Sequence, residues 1–167
     1  GDYMRLRRKP WIDEAIHEYD SHIILSDQEQ YKGKWRSLFE NPANPLYMEL
    51  GTGKGRFIAG MAENYSDANF IGFEVQLGVI YYAAQKLFER HLNNGKVSLF
   101  DIAGIEDIVE PGEIDRFYIN FCDPWPKTKH EKRRLTYHTF LDRYARLLKD
   151  EGEVHFKTDN EGLFLFS

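Results

Sequence analysis

From Leu46 onward the apolar positions alternate between two rhythms. Leu46 to Leu50 is a short continuous run, and Phe57, Ile58, Met61, Ala62 and Tyr65 then recur at the three- and four-residue steps of one helix face. Phe70, Ile71 and Phe73 make a second run. Val79, Ile80, Ala83, Ala84, Leu87, Phe88 and Leu92 follow on one helical stripe that stops at Asn93-Asn94-Gly95. Val97 to Phe100 predicts a third strand, Ile102 to Ile108 a weak helical stretch closing at Pro111-Gly112, and Ile114 to Phe121 a fourth strand. Phe140, Leu141, Tyr144, Ala145, Leu147 and Leu148 mark a further helix, and Val154 to Lys157 a fifth strand. Short apolar strands joined through helices need crossover connections. The pattern therefore predicts an α/β fold: a Rossmann-like, doubly wound, mainly parallel sheet with helices on both faces.

Residues 4 to 44 keep no sustained period and end in Asn41-Pro42-Ala43-Asn44-Pro45, a cluster of chain breakers. The expected organisation is an irregular basic N-terminal arm over residues 1–44, with one short helix, leading into a single domain over residues 45–167. A chain of 167 residues suits one such domain. With 42% hydrophobic and 29% charged residues it is neither disordered nor a membrane protein by composition. No run approaches the roughly 18 apolar residues of a spanning helix. The charged stretch Met4 to Lys9 leads into Pro10-Trp11 and not into the apolar core of a leader, so a cytoplasmic location is expected. Cys122 is the single cysteine and can form no internal disulfide, which fits a reducing compartment. The six histidines show no H-E-x-x-H spacing and no cysteine partners, so no metal site is expected.

The formal net charge of −5 argues at first against a polyanionic partner, but its distribution matters more than its sum. Basic residues crowd into Arg5 to Lys9 and Lys127 to Arg134, while acidic residues spread through Asp13 to Glu29 and Glu106 to Glu113. Either basic run alone reads as a solvated face. A shared location beside a ligand site would change that reading.

In open α/β sheets ligands bind beyond the carboxyl ends of the strands, so those ends are where chemistry is expected. The first apolar run ends in Glu49-Leu50-Gly51-Thr52-Gly53-Lys54-Gly55, a tight turn in which Gly51 and Gly53 let backbone approach a ligand closely. Its spacing is G-x-G-x-G, not the dinucleotide G-x-G-x-x-G, and the P-loop lysine followed by serine or threonine is missing. Glu49 would repel a pyrophosphate but suits a ligand carrying an ammonium and a sulfonium, as S-adenosylmethionine does. Glu74, at the end of Gly72-Phe73-Glu74, stands about twenty residues on, where a carboxylate accepts ribose hydroxyls. Asp101, at the end of the third strand, could accept an adenine amino group. Each acid has an ordinary alternative as a helix N-cap or a loop residue; three at successive strand ends form an adenosine pocket.

The fourth strand ends in Asn120-Phe121-Cys122-Asp123-Pro124-Trp125-Pro126-Lys127. Two prolines fix this backbone and Trp125 adds a flat apolar surface. Asp123 stands where it can face both a transferred group and an incoming acceptor. The basic residues Lys127, Lys129, Lys132, Arg133 and Arg134 follow directly, and a phosphate backbone could be held there while a base enters the pocket.

These segments, with His130-Glu131-Lys132-Arg133-Arg134-Leu135-Thr136 and His155-Phe156-Lys157-Thr158-Asp159-Asn160, resemble the bacterial tRNA (guanine-N7-)-methyltransferases, and the likeness runs from about Met4 to the end of the chain. The resemblance implies S-adenosylmethionine as donor, with S-adenosylhomocysteine as product, and the variable-loop guanine of tRNA as acceptor. It implies that Glu49, Glu74, Asp101 and Asp123 bind the cofactor, that Asp123 is also catalytic, and that Lys127 and Asp159 contact tRNA. Members of the family continue past the K-T-D-N segment with a T-x-x-E element, so the last strands of the sheet are expected to be missing from this chain.

Three other readings remain at this stage. One is a non-catalytic tRNA-binding or scaffold module that has kept the cofactor pocket. The second is an NAD-dependent oxidoreductase on the same architecture, which Glu49 and the glycine spacing disfavour. The third, a Cys-His nucleophile built on Cys122 with His130 or His138, lacks any family spacing. The sequence leaves monomer and homodimer equally open.

Overall fold

The computed structural model describes residues 10–120, 141–157 and 163–166. Seven strands form one sheet: β1 (Ile23–Ile24), β2 (Leu46–Leu50), β3 (Asn69–Glu74), β4 (Gly95–Leu99), β5 (Ile114–Asn120), β6 (Leu148–Lys157) and β7 (Leu163–Phe166), in the order β1-β4-β3-β2-β5-β6-β7. All neighbours are parallel except β7, which runs antiparallel to β6. The order reverses at β2, whose neighbours β3 and β5 carry the chain outward in opposite directions. That reversal opens a crevice at the carboxyl edge.

Among the described residues four α-helices flank the sheet: α1 (Ile12–Ala15), α2 (Arg56–Asn64), α3 (Leu77–Glu89) and α4 (residues 141–147). The weak helical pattern after β4 is a 3-10 helix, Ile102–Asp107, interrupted at Gly104. Helices cover both faces of the sheet, which is why the central strands read as unbroken apolar runs. On one face Ile58, Ala59 and Ala62 of α2 and Ile80, Ala83, Ala84 and Leu87 of α3 pack on Phe70 and Val97. On the other, Tyr144 and Leu147 of α4 join Trp35, Met48, Ile71, Phe73, Phe117 and Phe156.

The parallel α/β expectation is met, with two differences of detail. Residues 10–44 do not stand off as an arm: Ile12, Ile16, Tyr19, Trp35 and Phe39 are buried, and β1 pairs in register with Val97 and Ser98 of β4. A two-residue strand and three single 3-10 turns are too short to show a period, so packing alone organises them. Residues 163–166, for which the sequence pattern names no element, form the antiparallel strand on β6.

Candidate functional site

A cleft of about 390 Å³ opens at the carboxyl edge and is lined by Gly51, Gly53, Phe73, Glu74, Val75, Gln76, Phe100, Ile102 and Asn120. These residues come from the ends of β2, β3, β4 and β5, the strands around the reversal. Phe73 and Phe100 stand with ring centroids 6.1 Å apart, and the buried Trp35 meets Phe73 edge-on while its Nε1 donates to the Ile108 carbonyl at 2.7 Å. The apolar wall is therefore held rigidly from behind.

The glycine turn is built as its sequence requires. Gly51, Gly53 and Gly55 have φ of 83°, 60° and 86°, a region that side chains strongly disfavour. A Cβ added at Gly53 would meet nothing within 4 Å, so the turn faces open cleft there. Gly51 and Thr52 N–H donate to the Phe73 carbonyl at 3.0 and 2.8 Å, Gly53 N–H donates to Glu74 Oε1 at 2.9 Å, and Gly55 N–H donates to the Thr52 carbonyl at 3.1 Å. With these amides committed inside the protein, the turn is not a phosphate cradle.

Glu74 also accepts from the N–H groups of Val75 and Gln76, at 3.1 and 3.2 Å, so one carboxylate ties the glycine turn to the end of β3 and lines the cleft. Asp101 is exposed, and its Oδ1 accepts from Ala103 N–H at 2.9 Å, the ordinary N-cap arrangement for the 3-10 helix that follows. Its chain neighbours Phe100 and Ile102 line the cleft.

Glu49, expected from the sequence to suit a cationic ligand, is not open to the cleft. It is 4% exposed and lies beneath the turn, where Thr52 Oγ1 donates to its Oε1 at 2.5 Å and Lys157 Nζ, from the end of β6, pairs with its Oε2. Burial pushes the Glu49 carboxyl above its usual range, and the charge and hydrogen bond of Lys157 pull against it, as does Thr52. The Lys157 ammonium also sits 3.8 Å from the centroid of the Phe57 ring. Gly72 makes room for this arrangement: a Cβ there would fall 1.9 Å from Thr52 Oγ1.

Of the predicted site residues, the structure brings Gly51, Gly53 and Glu74 to the cleft, sets Asp101 at its side and Glu49 below it. Asp123, Lys127, Lys129, Lys132, Arg133, Arg134 and Asp159 lie outside the described residues, as do Cys122, His130, His138 and the Arg5 to Lys9 stretch. Sequence reasoning missed the cleft role of Phe100, Ile102 and Asn120 and the counter-charge role of Lys157. The first three follow from strand ends once the order is known; nothing local announces the fourth.

The donor set fits S-adenosylmethionine: an apolar slot, a carboxylate at the end of β3 facing it and a turn without side chains at its open point. Residues 43–166 match the family model described as putative methyltransferase. The tRNA (guanine-N(7)-)-methyltransferase of Bacillus licheniformis is 49% identical over 98% of this chain and 76% of its own length; that of Streptococcus agalactiae is 48% identical over 98% and 77%. Among solved structures, a 30S ribosomal A1408 methyltransferase from an uncultured bacterium superposes with a TM-score of 0.57 at 20% identity, covering 78% of this chain and 60% of the other. A putative methyltransferase from Streptococcus mutans, in complex with S-adenosylhomocysteine, gives 0.51 at 18% identity, covering 68% and 62%. These two likenesses show the fold. With nearly half of its residues shared with the enzymes of Bacillus and Streptococcus along 98% of its length, the chain belongs to the tRNA (guanine-N(7)-)-methyltransferase family.

Proposed function

We propose that this protein methylates N7 of the variable-loop guanine of tRNA in the cytoplasm, with S-adenosylmethionine bound in the cleft at the carboxyl edge of the sheet. It is an S-adenosylmethionine-dependent tRNA (guanine-N7-)-methyltransferase, and the observation that carries this is the 48–49% identity over 98% of the chain to enzymes of that activity.

The residue assignments are our own. Glu74 accepts the ribose hydroxyls, because its carboxylate faces the cleft while anchoring the turn. Gly51 and Gly53 give the donor backbone to lie against, Phe100 and Ile102 flank the adenine, and Asp101 serves the same end of the cleft from its side. Glu49 supports the opposite end from below the turn, its charge balanced by Lys157. Bound S-adenosylmethionine supplies an electrophilic methyl on a sulfonium. Guanine N7 carries an in-plane lone pair and no proton, so the protein needs no base to make the nucleophile and its main task is alignment. Correct alignment contributes about 7–11 kcal/mol in well-oriented model systems. Asp123, three residues beyond Asn120 in the chain, binds cofactor and acceptor and stabilises the charge that develops on the purine. Lys127, Lys129, Lys132, Arg133, Arg134 and Asp159 hold the tRNA.

The test is methylation of an unmodified tRNA transcript followed by borohydride reduction and aniline cleavage, which cuts at N7-methylguanine. Cleavage at the variable-loop guanine is expected. Cleavage at another guanine would overturn the substrate assignment, and its absence alongside tight S-adenosylhomocysteine binding would overturn the activity.

A further inference from the structure

Beside the cleft, the glycine turn carries a cation that the cofactor reading does not use. Lys54 is exposed between Gly53 and Gly55 and stands over the Tyr82 ring, its Nζ 5.5 Å from the centroid. Lys86, one helical turn beyond Tyr82 on α3, donates from its Nζ to the Lys54 carbonyl at 2.7 Å. Arg90 follows one turn later, just past the end of α3. Lys54, Tyr82, Lys86 and Arg90 thus form a continuous ridge from the mouth of the cleft along α3. Among the described residues, Glu63 stands 3.9 Å from Arg90 Nη1 with both side chains about half exposed, and the exposed Glu89 directly precedes Arg90; carboxylates this loose and wet do not neutralise the ridge. Burial holds the Lys86 ammonium below its usual value, and the charges of Arg90 and Lys54 add to that. Next to the ridge Trp11 is 48% exposed and packs edge-on against Tyr81, whose ring stands 5.2 Å from that of Tyr82.

We infer that Lys54, Lys86 and Arg90 form a further contact surface for the tRNA phosphate backbone, in addition to the residues assigned above, with Tyr82 and Trp11 as its aromatic flank. The inference rests on the tRNA-methylating reading above. In a protein of net charge −5, clustered cations that loose, solvent-exposed carboxylates leave largely unneutralised make a local attractive potential that a polyanion satisfies. The location selects the polyanion. Lys54 lies in the same turn as Gly51 and Gly53, so a nucleic acid whose guanine reaches the donor held in the cleft brings its backbone to the rim, and the ridge continues that path. The half-exposed Trp11 and the partly buried Tyr82 beside these cations offer nucleotides rings to stack on.

The experiment compares the parent protein with K54Q/K86Q/R90Q and K54Q/R90Q in three measurements: tRNA affinity against salt, KM for tRNA in the methylation assay, and affinity for S-adenosylhomocysteine. Three lost phosphate contacts lower the slope of log K against log salt by about 2 to 3, two lower it by about 1.5, and KM for tRNA rises by about tenfold or more. Affinity for S-adenosylhomocysteine stays within about twofold. The double variant spares half-buried Lys86 and decides the matter if the triple variant melts early. A slope and KM equal to the parent's would overturn the ridge while leaving the activity intact, as would a loss confined to S-adenosylhomocysteine binding. Failure of the parent itself to methylate tRNA would strike the underlying reading instead.

Discussion

Replacing Lys157 by Met removes the counter-charge of a carboxylate that is 4% exposed, and the ammonium over the Phe57 ring with it, while keeping an unbranched side chain of similar length. Breaking a buried ion pair from one side costs about 3–5 kcal/mol, because the remaining charge is left uncompensated. For a chain of 167 residues, each kcal/mol lowers Tm by about 2–4 °C, so Lys157→Met is expected to melt about 6–20 °C below the parent near neutral pH. The pH dependence follows from the Glu49 carboxyl, which burial holds above its ordinary value of 4.5. A carboxyl with a raised folded-state pKa binds its proton more tightly when folded. Its stabilising contribution is present below pH 4.5 and is lost as pH rises through the raised value. Lys157 limits that loss in the parent; without it the folded pKa climbs further. The Tm gap between variant and parent should therefore be widest at pH 8 and narrow steadily as pH falls through the raised value, where Glu49 takes up a proton. Adding Glu49→Gln to Lys157→Met should recover much of the deficit, since a neutral amide needs no counter-charge. Thermal melts by circular dichroism across that range decide the matter. A gap that does not change with pH, or a double variant no more stable than Lys157→Met alone, would refute the electrostatic account and leave only a packing role.

Two further outcomes follow from the site. Glu74→Ala removes the acceptor for three backbone N–H groups and, in the proposed assignment, for the ribose; hydrogen bonds to a charged group are worth about 1.5–3 kcal/mol, so affinity for S-adenosylhomocysteine by calorimetry should fall at least about tenfold. Gly72→Ala sets a methyl 1.9 Å from Thr52 Oγ1 and should cost about 1–3 kcal/mol in urea unfolding, with the loss reduced when Thr52 is also changed to Ala; equal losses in both backgrounds would refute the steric argument.

The layered fold was legible because parallel strands must be apolar on both faces, and Leu46 to Leu50 or Asn69 to Glu74 carry that demand in consecutive residues. The site was legible to the extent that it sits at strand ends: Gly51, Gly53 and Glu74 announce themselves by type and spacing. Residues 10–44 were less so, since Ile12, Ile16, Tyr19 and Trp35 are fixed by what they touch in the rest of the chain and not by any period among themselves. Charge was the least legible. Glu49 read as an open acid because its own neighbourhood, Leu50-Gly51-Thr52-Gly53, offers no cation partner other than the exposed Lys54. Its actual partner stands 108 residues away, two strands across the sheet, where β2, β5 and β6 bring Glu49 and Lys157 to the same edge. Strand order converts remote sequence positions into neighbours, and a buried carboxylate cannot be assigned a charge or a ligand until that order is known. The same conversion joins Lys54 to Lys86 and Arg90. In a net acidic protein, the cations that matter for binding an anion are those that folding gathers with no tight, buried acid to neutralise them, and neither their number nor their spacing in the chain reveals which they are.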